Sequence, residues 1–236
     1  MATQKVVVEG ASVTGPQWKE LVRQVVDGEL KSFQVQAIIE HRNPFDFLGV
    51  EIDWLRVYEV LGLKAEYEAE QANLVSMPDP AYWDAKVVRG VTPNLVVKAF
   101  RVLGVKVWTY VDDLDTSVPI NDRDPKGSYV VRFQRTVEAD PENANQSADD
   151  REELGVKDIT LLERLLLGLG YFLATEGEHL DVKNATLCSG SRRSDGSVPG
   201  VRWGAGSREL YVCACRPAGR DDDLRARAVV SLPDAG

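Results

Sequence analysis

Thr160-Leu-Leu-Glu-Arg-Leu-Leu-Leu-Gly-Leu-Gly-Tyr-Phe-Leu-Ala-Thr-Glu176 is the segment on which the architecture turns. Thr160 followed three residues later by Glu163 is a capping-box pattern, so the helix starts there. Leu161, Leu162, Leu165, Leu166, Leu169, Phe172 and Leu173 give it an apolar face wide enough to require packing against a sheet. Strands are readable on both sides. Upstream lies Ser128-Tyr-Val-Val-Arg-Phe133, then a polar stretch with a short helix near Ser147 to Leu154. Downstream come Thr186-Leu-Cys188, Val201-Arg-Trp203, Glu209 to Cys215 and a closing run from Ala228 to Leu232. The first and last of these strands are apolar and matched in length, so pairing them would bring the ends of the domain together.

The part before about Asp124 reads differently. Gly15-Pro16-Gln17 opens a helix carrying Trp18, Leu21, Val22, Val25 and Val26 at helical spacing. A second short helix is expected from Phe33 to Glu40, with Asn43-Pro44 as a breaker. Trp54, Leu55, Val57, Tyr58 and Leu61 predict a third, stopped at Gly62, followed by an acidic, solvated stretch from Glu66 to Gln71 and a loop at Met77-Pro-Asp-Pro80. A strand from Trp83 to Val88, a helix capped by Thr92 and Pro93 and ended by Gly104, and an alternating strand from Val105 to Val111 make a strand-helix-strand unit. The polar run from Asp112 to Gly127 reads as a linker. The expected organisation is α+β, with a mixed domain over 1–124 and a second domain over 125–236.

Bulk properties narrow the function classes. With 236 residues, 44% hydrophobic and 28% charged, the chain has an ordinary globular composition. A formal charge of -9 argues against a general nucleic-acid binder. No apolar run approaches the roughly 20 residues that cross a bilayer, and Met1 to Glu9 holds no apolar core of secretory length. The expected setting is cytoplasmic or virion-associated, with surface display left open.

Catalytic patterns are weak. Tyr110-Val-Asp-Asp113 resembles the paired-aspartate turn of reverse transcriptases, but it stands alone in a short chain and reads better as a strand running into an acidic linker. Cys213 and Cys215 fall on one face of a strand, at the upper limit of disulfide spacing and without further zinc ligands nearby. His41 and His179 sit in no metal-binding pattern, and His179 is expected near the helix end, where a cation suits the dipole. Asp221-Asp-Asp223 reads as an exposed loop rather than a calcium site. No catalytic residue, metal or cofactor is expected.

The tail is written in a restricted alphabet. From Ala185 to Gly236 there is no Lys, Gln or Met, one Glu (Glu209) and one Trp (Trp203). All ten Lys, all eight Gln and sixteen of the seventeen Glu lie before it. Solubility does not account for this, since Lys and Glu are the usual surface residues.

The block from Thr160 to Leu232 resembles a known family. The pieces are Ile159-Thr-Leu-Leu-Glu-Arg164, Tyr171-Phe172, His179-Leu-Asp181, Thr186-Leu-Cys188, Gly190-Ser-Arg192, Ser194-Asp-Gly196, Val198-Pro199, Trp203, Leu224-Arg225, Arg227 and Val229-Val-Ser-Leu232. Together they are similar to the variable proteins of diversity-generating retroelements. The resemblance implies a C-type lectin fold over 125–236, with paired terminal strands, two helices and a loop-rich small sheet, and a variable segment of about 187–227. It also implies diversification by error-prone reverse transcription of template adenines. Asparagine codons altered at their first two positions cannot become Lys, Gln, Glu, Met or Trp, which matches the missing letters.

On that reading Leu187, Val198, Val201, Trp203, Val212, Leu224 and Val229 hold the frame. Burying Leu210, Val212 and Ala214 turns Tyr211, Cys213 and Cys215 outward, and Arg202 opposes Val201 and Trp203. Loop positions Arg193, Ser197, Gly200, Gly204, Gly206, Ser207, Arg216, Ala218, Gly219, Asp221 and Asp223 complete the expected ligand-binding patch. The function implied is non-enzymatic display of that patch to a protein or glycan. The alternatives are a fixed structural or adhesion module, or a thiol oxidase on the lectin-like fold of formylglycine-generating enzymes.

Overall fold

A computed structural model of the chain describes residues 7–8, 11–12, 14–27, 50–76, 79–123 and 126–230. Contacts divide the chain into Met1–Asp46 and Phe47–Gly236. In the first unit β1 (Val7–Val8) pairs antiparallel with β2 (Ala11–Ser12). Helix α1 (Gly15–Val26) starts on a Thr14–Gln17 capping box. The expected helix from Phe33 to Glu40 and the Asn43-Pro44 breaker lie outside the described residues.

The boundary expected at Asp124 falls inside the second unit, because two strand pairings cross it. Strand β3 (Tyr82–Val87) pairs antiparallel with β6 (Tyr129–Gln134), and β4 (Lys106–Thr109) runs parallel to β10 (Glu209–Cys215). The polar run that imitates a linker is partly structured. Asp113 caps the one-turn helix α5 (Leu114–Ser117), Leu114 and Val118 are buried, and β5 (Ile120–Asn121) pairs with β8 (Ser191–Arg192). Few apolar residues suffice here because the hydrogen bonds go to distant partners.

Helix α2 (Trp54–Leu61) ends on left-handed Gly62 (φ 73°), as its sequence predicts. The stretch expected to be solvated instead forms helix α3 (Lys64–Glu70), held down by Tyr67, which is buried and stacked on Tyr58 with ring centroids 5.0 Å apart. Helix α4 (Pro93–Val102) begins at Thr92, whose hydroxyl accepts from Leu95 N. The strand-helix-strand unit does not form one sheet: β3 and β4 belong to different sheets.

Beyond the short helix α6 (Ala148–Glu153) runs α7 (Leu161–Ala174), with the Thr160–Glu163 box in place. The sequence reading gave it one apolar face, but twelve of its fourteen residues are buried, Glu163 and Arg164 among them. It touches α2, α4, β3 and β9 (Val198–Gly204). Glycines make the enclosure possible: a Cβ on Gly170 would stand 2.6 Å from Ile52 Cγ2.

The main sheet has the order β11 (Leu224–Ala226), β7 (Ala185–Leu187), β9, β10, β4. Its register puts Thr186, Val201 and Val212 on one face, and Gly200, Arg202, Tyr211 and Cys213 on the other. Of the expected pairing between the terminal strands, the described residues show one isolated antiparallel bridge, between Arg132 and Val230, while Ala228 bridges Asp158 and β6 pairs with β3. The architecture is mixed α+β.

A buried polar node ties these pieces together. Asp181, fully buried with φ 58°, accepts from Arg164 Nε and Arg227 Nη2, each at 2.7 Å, and from the Thr186 hydroxyl. Arg227 also donates to Thr186 Oγ1, Thr136 O and Val137 O, so its fork is satisfied. The carboxyl of Asp181 is held below its ordinary range by the two guanidiniums against the cost of burial. Removing one member leaves buried charge unpaired, so Asp181→Ala should lose about 3–5 kcal/mol in chemical denaturation; a loss under about 1 kcal/mol contradicts the role.

Asp140 carries a cost instead. Burial pushes it up from 3.8 to about 6, against the opposing effect of the Ala228 N–H, and Oδ1 has no partner among the described residues. The unfolded carboxyl ionises near 3.8 and the folded one near 6. Stability therefore falls by roughly 2–3 kcal/mol as pH rises through that window, and stays lower above it. Asp140→Asn should raise the urea midpoint at pH 8 and bring no gain at pH 4.

Candidate ligand-binding surface

The β9–β10 hairpin positions most of the expected residues. Antiparallel register sets Tyr211 opposite Arg202 and Cys213 opposite Gly200. Leu210 and Val212 point inward and are buried, while Arg202 is exposed and Tyr211, Cys213 and Cys215 are half-buried. At the hairpin tip Gly206 and Ser207 are exposed, and the Tyr211 hydroxyl donates to Ser207 Oγ at 3.0 Å. Gly204 lies against the Tyr211 ring: a Cβ there would be 2.7 Å from Cε2.

Beside Arg202 and Tyr211 the surface opens into a cavity of about 300 Å³, lined also by Cys213, Cys215, Asp221 and Asp223. Arg216 and Ala218 are exposed and Gly219 half-buried on the loop after β10. That loop is pinned to α6 by Arg220 on Asp150 (2.5 Å) and by Asp149 N on Pro217 O (3.2 Å). Arg193 and Ser197 form a separate turn, where Arg193 Nη1 donates to Ser197 Oγ and Asp195 accepts from Ser197.

One expected position is corrected. Gly200 shares the face of Arg202 and Cys213 by register but is buried: a Cβ there would lie 3.0 Å from Cys215 Sγ and 3.1 Å from Cys213 Sγ. Neighbouring side chains cover it, so only a small residue fits while both cysteines keep their places.

Two residues of this surface were missed in the sequence. Trp108, on β4, is the register partner of Tyr211, and their ring centroids are 5.9 Å apart. Tyr110 follows on the same side at 6.5 Å from Trp108, with the Arg193 guanidinium 4.7 Å over its ring. Arg202 lies 5.7 Å over Tyr211 at the other end. The result is a continuous row, Arg202–Tyr211–Trp108–Tyr110–Arg193, with Trp108 44% and Tyr110 58% exposed. Alternation in Lys106-Val-Trp-Thr-Tyr110 already put both rings on one face. Their neighbour across the sheet was not readable, because it lies about a hundred residues away.

The residues weighed for catalysis have other tasks. Asp113 accepts from Thr116 and Asn94 as a helix cap, and Thr116 holds its carboxyl low. His179 is not a cation at a helix end. Burial, and then the charge of Arg164, push it down to about 4, and it stacks on Trp203 with ring centroids 3.5 Å apart. His41 lies outside the described residues. No family model, curated protein or solved structure matches this chain.

The two faces should respond differently to substitution. Arg202→Ala and Tyr211→Ser should each stay within about 0.5–1 kcal/mol of the parent stability, whereas Leu210→Ala should cost about 2–5 kcal/mol. Equal losses on both faces in urea denaturation contradict a rigid frame under a permissive surface.

Proposed function

We propose that this protein is a non-enzymatic display protein, whose second unit carries a C-type lectin-like frame with a surface diversified by a retroelement to bind protein or glycan ligands. The observation that carries the reading is the split along β9 and β10. Inward positions are Val201, Trp203, Leu210 and Val212, while outward ones are Arg202, Tyr211, Cys213 and Cys215, every one reachable from an asparagine codon. A mutational process confined to outward positions leaves this signature without harming the core, because register separates the two sets.

The row of aromatic rings and guanidiniums supplies what a binding face needs. Aromatic and Arg side chains are the usual anchors of protein recognition, and Ser, Gly and Asp around them adapt, as in antibody loops. Trp108 and Tyr110 lie outside the restricted tail, so on this reading they are constant anchors beside variable ones. The bridge between Arg132 and Val230 supports paired terminal strands.

Sequencing the DNA downstream of the gene tests the origin. The expected result is a near-copy of the 3′ end beside a reverse transcriptase gene, with mismatches confined to adenines. A gene with no such copy leaves the fixed adhesion module as the better account. For binding, a glycan and peptide array probed with the parent protein should give hits that Trp108→Ala and Tyr211→Ala abolish; hits indifferent to both substitutions place the ligand elsewhere.

A further inference from the structure

Two of the outward positions just described are thiols, with a chemistry of their own. Cys213 and Cys215 occupy alternate positions of β10 on the same face, opposite Gly200 and Val198. The place where residue 200 would carry a Cβ is 3.0 Å from one sulfur and 3.1 Å from the other, so both border the same gap. Both thiols are free and both line the cavity beside Arg202.

Residues two apart on a strand have Cα atoms about 6.5 Å apart, near the limit at which a disulfide closes without strain. A single atom between the sulfurs removes that strain. A linear thiolate–metal–thiolate unit spans about 4.6 Å from sulfur to sulfur, at roughly 2.3 Å per bond.

The choice of ion follows from what is missing around the pair. Zinc takes four ligands and calcium six to eight oxygens. Among the described residues, no group of three or more His, Cys, Asp or Glu side chains is assembled for a metal. The third thiol, Cys188, is fully buried, with its sulfur 3.9 Å from Thr186 O. Only an ion satisfied by two soft ligands fits, and thiolates select Cu(I) among the biological metals. We infer that Cys213 and Cys215 form a two-thiolate site for a soft monovalent cation of the Cu(I) type, at the floor of the recognition cavity.

The incoming cation displaces the protons of both thiols. Arg202 offsets the negative charge of the resulting complex. The site stands independently of the display reading, since a fixed adhesion module with the same strand would carry it too.

The test is a titration of the reduced full-length chain, desalted without oxygen, against the Cu(I) complex of a chromophoric chelator. One Cu(I) per chain is expected. Cys213→Ser and Cys215→Ser should each weaken binding by more than the roughly 10- to 100-fold typical of losing a mere supporting partner, while Cys188→Ala keeps it. Near-UV circular dichroism matching the parent shows that a variant is folded, and Cys213→Ala serves if Cys213→Ser is not. No uptake by the parent overturns the assignment, as does uptake surviving in the Cys213→Ser/Cys215→Ser double variant. Zn(II) bound as tightly as Cu(I) overturns the two-ligand geometry.

Discussion

The carboxylate of Asp181 joins three distant parts of the chain. Arg164 reaches it from the central helix, Thr186 from β7 of the main sheet, and Arg227 from the segment after β11. Its backbone N–H donates to Val137 O, and its carbonyl accepts from Trp203 N on β9. Two guanidiniums around one buried carboxylate are costly to desolvate, so the arrangement persists only because each donor finds an acceptor. Arg227 meets this demand with backbone carbonyls of the loop after β6. The node thereby sets the height of the central helix over the sheet and the approach of the chain end to β6.

Similar nodes repeat around the same helix. Glu163, buried in its first turn, accepts from Arg123, from the Tyr129 hydroxyl and from Thr160 N. Asp158 takes a forked pair from Arg151 and a hydroxyl from Ser189. These pairs anchor the segments between strands, which carry too little apolar surface to pack on their own. A frame fastened in this way leaves the Arg202–Tyr211 end of the outer face of β9 and β10 without a structural task, whereas at the other end Val198 and Leu187 are buried and Cys215 packs against them. That is the physical condition for a surface whose side chains can change while the backbone stays.

The same division runs through the row of rings and guanidiniums. Arg202 and Tyr211 come from the restricted tail, whereas Trp108 and Tyr110 come from a strand that precedes it. Parallel pairing of β4 with β10 brings the two sets within ring-contact distance. On the proposed reading, a surface built this way joins variable residues with constant ones. Gly200 marks the limit of that freedom, because the two thiols fill the space a side chain would need.

Local pattern was enough for much of this. The Thr160–Glu163 box, the Thr92-Pro93 start, the Gly62 stop, and the inward Leu210 and Val212 were all legible, because caps, turns and alternation act within four residues. Tyr67 was misread as part of a solvated run because its partner Tyr58 lies beyond that range. The domain boundary was misplaced because polar residues between 112 and 127 bond to a distant strand. The enclosure of Arg164, the neutral stacked state of His179 and the meeting of Trp108 with Tyr211 belong to tertiary structure alone. Each depends on which strands lie side by side, and strand neighbours far apart in sequence are chosen by the summed packing of the whole unit rather than by any one segment.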